Sequence, residues 1–243
     1  MIKFTKYSLY LAVAILSVYL LVYFIRFRYI LFLAQNPVIV QVNQELGKGP
    51  LLKYIAAGDS TVQGRGASVV EKTYPYKIAV YLAQDHTVEY KNIGVSGARL
   101  RDLKEKQLPT IIAYQPDIIT ISIGGNDIDR LASKDYVLEN LNFIISELNT
   151  KTQAKIYIAN LPNFTGAQLL PYPYIWLIEK RSAPINRAII ALESDRIKIA
   201  NVHDFFAAHA KIESTYSADY FHPNDYGYEL WTAAFLEKMK DLQ

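Results

Sequence analysis

From Leu51 onward the chain alternates two kinds of segment, and that alternation leaves few folds open. Short runs read as strands: Leu51–Ala57, Thr87–Asn92, Asp117–Ile123, Lys155–Ala159 and Ile197–Val202. Helical spans lie between and after them. These are Tyr74–Gln84, Arg101–Ala113 (interrupted at Pro109), Lys134–Leu148 behind a Ser133 cap, Ile175–Glu193 with a kink at Pro184, and Pro223–Leu242. Repeated strand–helix–strand units cross over right-handedly and build a parallel sheet with helices on both faces. The β-branched run Asp117–Ile123 suits a strand buried on both sides. With 243 residues, 51% of them apolar and 20% charged, the chain has material for one ordinary domain plus an appendage.

In a parallel sheet the loops that follow the strands share one edge, where ligands bind. The first strand stops at Gly58-Asp59-Ser60. Gly58 lets the chain turn without a Cβ clash, and Asp59 favours a turn or an N-cap. Taken alone, Asp59 or Ser60 reads better as an ordinary helix cap, since Asp and Ser are among the commonest caps. The later loops change that. Asn92-Ile93-Gly94-Val95-Ser96-Gly97 follows the second strand and Gly124-Gly125-Asn126-Asp127 the third. Asp219-Tyr220-Phe221-His222-Pro223-Asn224-Asp225 precedes the last helix. A serine hydrolase needs a hydroxyl nucleophile, a base, a group that orients the base, and donors for the oxyanion. Ser60 offers the first and His222 the second. Asp219, three residues before His222, is close enough to reach Nδ1. Asn126 offers a side-chain amide, and Gly97 a backbone N–H with no side chain in the way.

These blocks, GDS at 58–60, NIGVSG at 92–97, GGND at 124–127 and DxxH at 219–222, resemble in order those of the SGNH (GDSL) hydrolase family. The resemblance runs from about Leu51 to about Leu242. It implies a flavodoxin-like three-layer α/β/α fold around a five-stranded parallel sheet. It also implies a triad of Ser60, His222 and Asp219, with an oxyanion hole from the N–H groups of Ser60 and Gly97 and the Asn126 amide. Gly94 is a competing glycine donor. Many relatives have Ile or Leu where this chain has Thr61, a change that falls at the pocket floor.

Other polar groups have plainer readings. Ser96 lies in GVSG, but no G-x-S-x-G elbow is present. His203-Asp204 follows the fifth strand directly and reads as a helix cap. His86 and His209 are isolated, and Asp127 reads as a structural turn contact. No spacing of His or carboxylates suggests a metal, so neither a metal nor another cofactor is expected. Cysteine is absent, which excludes a thiol nucleophile. Tyr172, Tyr174 and Trp176 form a candidate substrate wall, with a packed loop as the equal alternative.

The first fifty residues fall outside the family pattern. Tyr7–Ile25 is 19 residues without a charge, long enough at about 28 Å to cross a bilayer. Tyrosines stand near both ends. A cleaved signal peptide is the main rival, but its apolar core is usually shorter and Phe32-Leu33-Ala34 is a poor cleavage site; a buried helix of the globular domain is a weaker third reading. The segment therefore reads as an uncleaved membrane anchor, followed by a juxtamembrane stretch that ends at the breaker cluster Gly47-Lys48-Gly49-Pro50. Domains are expected at 1–50 and 51–243. Lys3 and Lys6 with the α-amine narrowly outweigh Arg26 and Arg28, placing the catalytic domain outside the cytoplasm. The net charge of +3 rests on those four residues, so it gives no support for nucleic-acid binding.

The expectation is a membrane-anchored serine esterase acting through an acyl-enzyme on lipid, lysolipid or small acyl esters. An O-acyltransferase or a glycan O-deacetylase would use the same residues. A non-catalytic binding domain on a membrane stalk is the rival from another class. Lipid or medium-chain esters are placed slightly ahead.

Overall fold

The computed structural model describes residues 2–33, 43–167, 169, 172–209 and 215–242. Helix α1 (Ile2–Leu33) comes first, then strand β1 (Asn43–Leu46). Strands β2 (Leu51–Gly58), β3 (Thr87–Asn92), β4 (Ile118–Ser122), β5 (Lys155–Ala159) and β6 (Ile197–Ala200) follow. Between them run helices α2 (Ser60–Gln63), α3 (Tyr74–Leu82), α4 (Leu100–Asp102), α5 (Leu108–Tyr114), α6 (Gly125–Ile128), α7 (Lys134–Lys151) and α8 (Tyr174–Ile190). Helices α9 (Val202–His209) and α10 (Asp225–Lys238) close the chain.

The strand order is β1-β3-β2-β4-β5-β6, with β2 through β6 parallel and β1 antiparallel to β3. The five parallel strands have the flavodoxin-like order, in which the crossover direction reverses at the first of them, β2. Ser60 follows β2, so it stands at that switch point. The sixth strand is a correction. Asn43–Leu46 belongs to the sheet, so the folded domain reaches back beyond Leu51. The Gly47–Pro50 cluster is a turn inside it. Gly47 adopts φ +78°, and a Cβ there would lie 2.3 Å from the His86 carbonyl oxygen, which explains the glycine.

Alternation along the strands divides the core into two layers. Ile55 and Ala57 of β2, Ile119 and Ile121 of β4, and Ile156 and Ile158 of β5 face one side, packing with residues of α7, α8 and the 100–114 stretch. Tyr54, Ala56, Ile118, Tyr157 and Ala159 face the other, against α3, α9 and α10. Each fully buried large apolar side chain contributes about 1.5–3 kcal/mol, so the sheet edge that carries the loops is held from both faces.

The break expected at Pro109 is softer than a helix end. A π-helical stretch, Leu103–Gln107, runs into α5, where Pro109 occupies the first turn and its missing N–H costs nothing. The terminal helix is also shorter than expected. The Asn224 side chain accepts from the Gly227 N–H and caps it, so Pro223 belongs to the preceding loop.

Candidate active site

Ser60 is the first residue of a single helical turn whose geometry is fixed from both ends. Asp59 caps it: one carboxylate oxygen, Oδ1, accepts from the Thr61 N–H at 2.9 Å and from the Thr61 hydroxyl at 2.8 Å. Gly64, at φ +89°, closes the turn in the left-handed conformation. The strand end before it is clamped by Gln107. Its Oε1 accepts from the Gly58 N–H at 2.8 Å and its Nε2 donates to the Gly58 carbonyl at 2.9 Å. Gly58 is required there, because a Cβ would come within 1.9 Å of the Ser122 carbonyl oxygen. Thr61 also joins its hydroxyl to Ser122 Oγ at 2.9 Å, tying the turn to β4.

The second half of the site is the loop before α10. Asp219 organises it. Its Oδ1 accepts from Ser217 Oγ at 2.8 Å and from the N–H groups of Phe221 and His222, both at 2.9 Å. The other oxygen, Oδ2, meets His222 Nδ1 at 2.6 Å. His222 Nε2 then meets Ser60 Oγ at 2.9 Å. Three residues named from the sequence therefore form one continuous relay across 162 positions of chain. Burial works to raise the Asp219 carboxyl, but the His222 ring and the two backbone N–H donors outweigh it and hold it well below the usual carboxylate range. With Asp219 ionised against Nδ1–H, Nε2 is left to accept from the serine hydroxyl.

Among the described residues, no group accepts from the Ser60 N–H or the Gly97 N–H. Gly97, at φ +78°, has nothing within 4 Å of where a Cβ would stand. Gly94 differs: its N–H donates to Asn92 Oδ1 at 2.9 Å, and a Cβ would strike Gln63 and Val62. It is a packing glycine. Asn126 lines the cleft beside Ser60, and its Nδ2 donates to the Ala98 carbonyl at 3.0 Å, which leaves one amide hydrogen for another acceptor.

The cleft next to Ser60 has polar walls from Asn126, Asn160 and Asn163 and apolar walls from Pro162, Phe164, Tyr216 and Phe221. Its room is about 40 Å³. Tyr172, Tyr174 and Trp176 are not among its walls. Tyr172 and Trp176 are exposed, and the Tyr174 hydroxyl donates to the Asp129 carbonyl instead. The apolar wall comes from Phe164 and Phe221, whose rings stack with centroids 6.3 Å apart.

The remaining candidates lie elsewhere. The Ser96 hydroxyl accepts from Arg65 Nη1 at 3.3 Å and meets no base. Asn201, not Asp204, caps α9, with its side chain accepting from the Asp204 N–H at 3.3 Å. His203 lies between Asp204 and Glu179, and Glu179 in turn accepts from the Phe164 N–H, so this cluster braces the cleft wall. Asp127 is buried and accepts from the Leu100 N–H at 3.0 Å, a turn contact. Burial raises its carboxyl. His86 is half-buried in the bend just before β3, and the side chain of His209 lies outside the described residues.

Burial also pushes the Asp59 carboxyl up to about 6, against the two Thr61 bonds that favour its charged form. A carboxyl raised in the folded state contributes stability that is full below its unfolded value. That contribution is lost as pH rises through the folded value. Between pH 4 and 7 the wild type should therefore lose stability, by on the order of 1–3 kcal/mol, relative to Asp59→Asn, which keeps the cap but cannot ionise. Urea unfolding midpoints at four pH values measure this. Parallel curves for the two proteins would mean that Asp59 is ionised without cost.

A profile of the GDSL-like lipase/acylhydrolase family matches residues 56–230. No curated protein matches the chain. Among solved structures, a catalytic mutant of Axe2, an acetylxylan esterase from Geobacillus stearothermophilus, superposes with a TM-score of 0.63 at 19% identity. That match covers 80% of this chain and 97% of the other. A member of the lipolytic G-D-S-L family from Veillonella parvula gives 0.60 at 19% identity, covering 77% and 97%. LAE5, an alpha/beta hydrolase enzyme from the metagenome of Lake Arreo, Spain, gives 0.63 at 16%, covering 81% and 98%. At these identities the structural likeness speaks for the fold, whereas the profile spans well over half the chain and takes in every block from Gly58 to His222. The chain belongs to the GDSL-like lipase/acylhydrolase family and is an esterase of the SGNH type.

Proposed function

We propose that the protein removes small acyl groups, acetyl foremost, from hydroxyl-bearing substrates through an acyl-enzyme on Ser60. The relay from Asp219 through His222 to Ser60, opening on a cleft of about 40 Å³, carries this proposal. His222 Nε2 takes the Ser60 proton as Oγ attacks the ester carbonyl. The tetrahedral oxyanion accepts from the Ser60 and Gly97 N–H groups and from the Asn126 amide. Each such donor is worth roughly 3–4 kcal/mol at the transition state. The imidazolium, held by Asp219, returns its proton to the leaving alcohol. Water then attacks the acyl carbon by the same path in reverse, releasing the acid and restoring Ser60.

The small-acyl preference departs from the lipid-ester expectation. That expectation leaned on an aromatic wall from Tyr172, Tyr174 and Trp176, and those residues stand outside the cleft. Axe2, named for acetylxylan, is consistent with a polar-mouthed site for an acetylated glycan, with the asparagines Asn126, Asn160 and Asn163 as hydroxyl-binding groups. Forcing extra methylenes into a filled cavity costs about 1–3 kcal/mol. The ratio kcat/KM for p-nitrophenyl acetate should therefore exceed that for the octanoate by about tenfold or more. A rise with chain length would put the acyl group outside this cavity and overturn the small-acyl assignment.

We further propose that α1 anchors the enzyme, with the catalytic domain outside the cytoplasm. Its segment Lys6–Arg26 has a mean hydropathy of 2.3, and none of it is buried within the protein. A helix of that composition is unstable against water but stable across lipid.

A further inference from the structure

Helix α1 does not leave the catalytic domain as a free stalk. The Tyr23 hydroxyl donates to the Leu169 carbonyl at 3.0 Å, and the Tyr19 hydroxyl to the Tyr172 carbonyl at 3.2 Å. The Leu169 N–H donates in turn to the Tyr220 carbonyl at 3.3 Å. Arg26 lies over the Tyr220 ring, 6.0 Å from its centroid. Tyr220 stands between Asp219 and Phe221-His222 and holds φ +56°, a left-handed turn position for a non-glycine residue. A line of contacts thus joins the end of the candidate span to the loop that carries His222.

Depth follows from helix geometry. If Arg26 marks the polar edge of the bilayer, Tyr23 lies about 4–5 Å and Tyr19 about 10 Å below it, at 1.5 Å per residue. The carbonyls of Leu169 and Tyr172 must lie at similar depths, since those hydroxyls hold them. That is the headgroup–acyl boundary, where interfacial segments bury themselves by about 5–10 Å. A backbone carbonyl there needs a donor, which the tyrosine hydroxyls supply. The side chains on this surface suit the same layer. Tyr172 is 72% exposed and Trp176 52% exposed, and tyrosine and tryptophan are the residues of membrane interfaces. Lys180 Nζ lies 5.0 Å from the Trp176 ring centroid, within reach of a lipid phosphate while its stem and the ring stay in the apolar layer.

We propose that Leu169, Tyr172 and the first turns of α8, carrying Trp176 and Lys180, seat in the bilayer boundary beside α1. The cleft then opens along the membrane surface, toward acyl esters on membrane-attached carriers. This seating rests on α1 as an uncleaved span and on the cleft as the esterase site. It gives the exposed aromatics a lipid partner in place of the acyl chain expected from sequence.

Tryptophan fluorescence tests it. The chain has two tryptophans, and Trp231 is buried at 2% exposure. The difference between wild type and Trp176→Phe therefore reports Trp176. The full-length chain is reconstituted in phosphatidylcholine–phosphatidylglycerol vesicles, with or without bromine on the upper half of the acyl chains. Bromolipid should lower the Trp176 emission by about twofold or more, and aqueous iodide should quench it little. Iodide quenching without bromolipid quenching, or equal bromolipid quenching of wild type and Trp176→Phe, overturns the proposal. So does release of the chain from vesicles by carbonate. The readout needs no turnover. A wild type that hydrolyses no ester therefore counts against the esterase site and the substrate direction, while quenching still decides the seating. Trp176→Ser and Tyr172→Ser should turn over soluble p-nitrophenyl acetate within about twofold of wild type, as residues outside the cleft should.

Discussion

Ser60→Ala should abolish labelling by a fluorophosphonate and lower ester turnover by roughly 10⁴-fold or more, which is what removal of a triad nucleophile costs elsewhere. The fold should survive. The turn that carries Ser60 is held by the Asp59 cap, by Gly64 and by Gln107 on Gly58, none of which uses the serine side chain. What the substitution removes is one hydrogen bond to His222 Nε2, worth about 0.5–1.5 kcal/mol net, and a small volume at a site only 6% exposed. Near-wild-type melting with no labelling is the expected pair of results. The control is Ser96→Ala. The Ser96 hydroxyl faces Arg65 rather than a base, so that variant should label normally. Labelling that persists in Ser60→Ala and disappears in Ser96→Ala would move the nucleophile to the second loop.

The triad could be named from sequence because each member sits in a short block at a strand end, and a parallel sheet brings strand ends together whatever the loop lengths. The strands were legible for a related reason. Leu51–Gly58 and Lys155–Ala159 are largely apolar, and Thr87–Asn92 alternates polar residues with Val88 and Tyr90. Strand β1 shows neither pattern. Asn-Gln-Glu-Leu is polar and largely exposed, and its Glu45 stands opposite Glu89. It joins the sheet through its backbone ladder, with Leu46 its one side chain packed against the core, and a ladder leaves no mark in composition. Gln107 and Asn186 were invisible for the same reason. Each clamps a backbone unit far away in sequence, Gly58 and Leu161 respectively, and nothing in a lone amide announces a distant carbonyl. Aromatic density in the sequence does not mark the cleft wall. Tyr172, Tyr174 and Trp176 are dense in sequence, yet Phe164 and Phe221, from two separate loops, are what meet at the site. Only the fold decides that pairing.

Asp219→Asn should lower kcat by about 10³–10⁴, or roughly 4–5 kcal/mol of transition-state stabilisation, with KM little changed. The reason lies in how Asp219 divides its two oxygens. Oδ1 serves three donors of its own loop, and Oδ2 serves His222 Nδ1. In the asparagine variant the single oxygen is held by those three donors. The amide NH₂ then faces Nδ1, which must become the acceptor. The ring proton moves to Nε2, and Nε2 donates to Ser60 where it should accept. The base is present but in the wrong tautomer. The pH dependence of stability adds a second signature. A carboxyl depressed in the folded state contributes stability that is full above its unfolded value near 3.9 and is lost as pH falls through the folded value. Wild type should therefore be the more stable protein at neutral pH, with the gap to Asp219→Asn closing below about pH 4. Unfolding midpoints and kcat across that range measure both. If Asp219→Asn keeps more than about a tenth of wild-type kcat, His222 is oriented by something else. The 2.6 Å contact would then be part of the loop's structure and not of its chemistry.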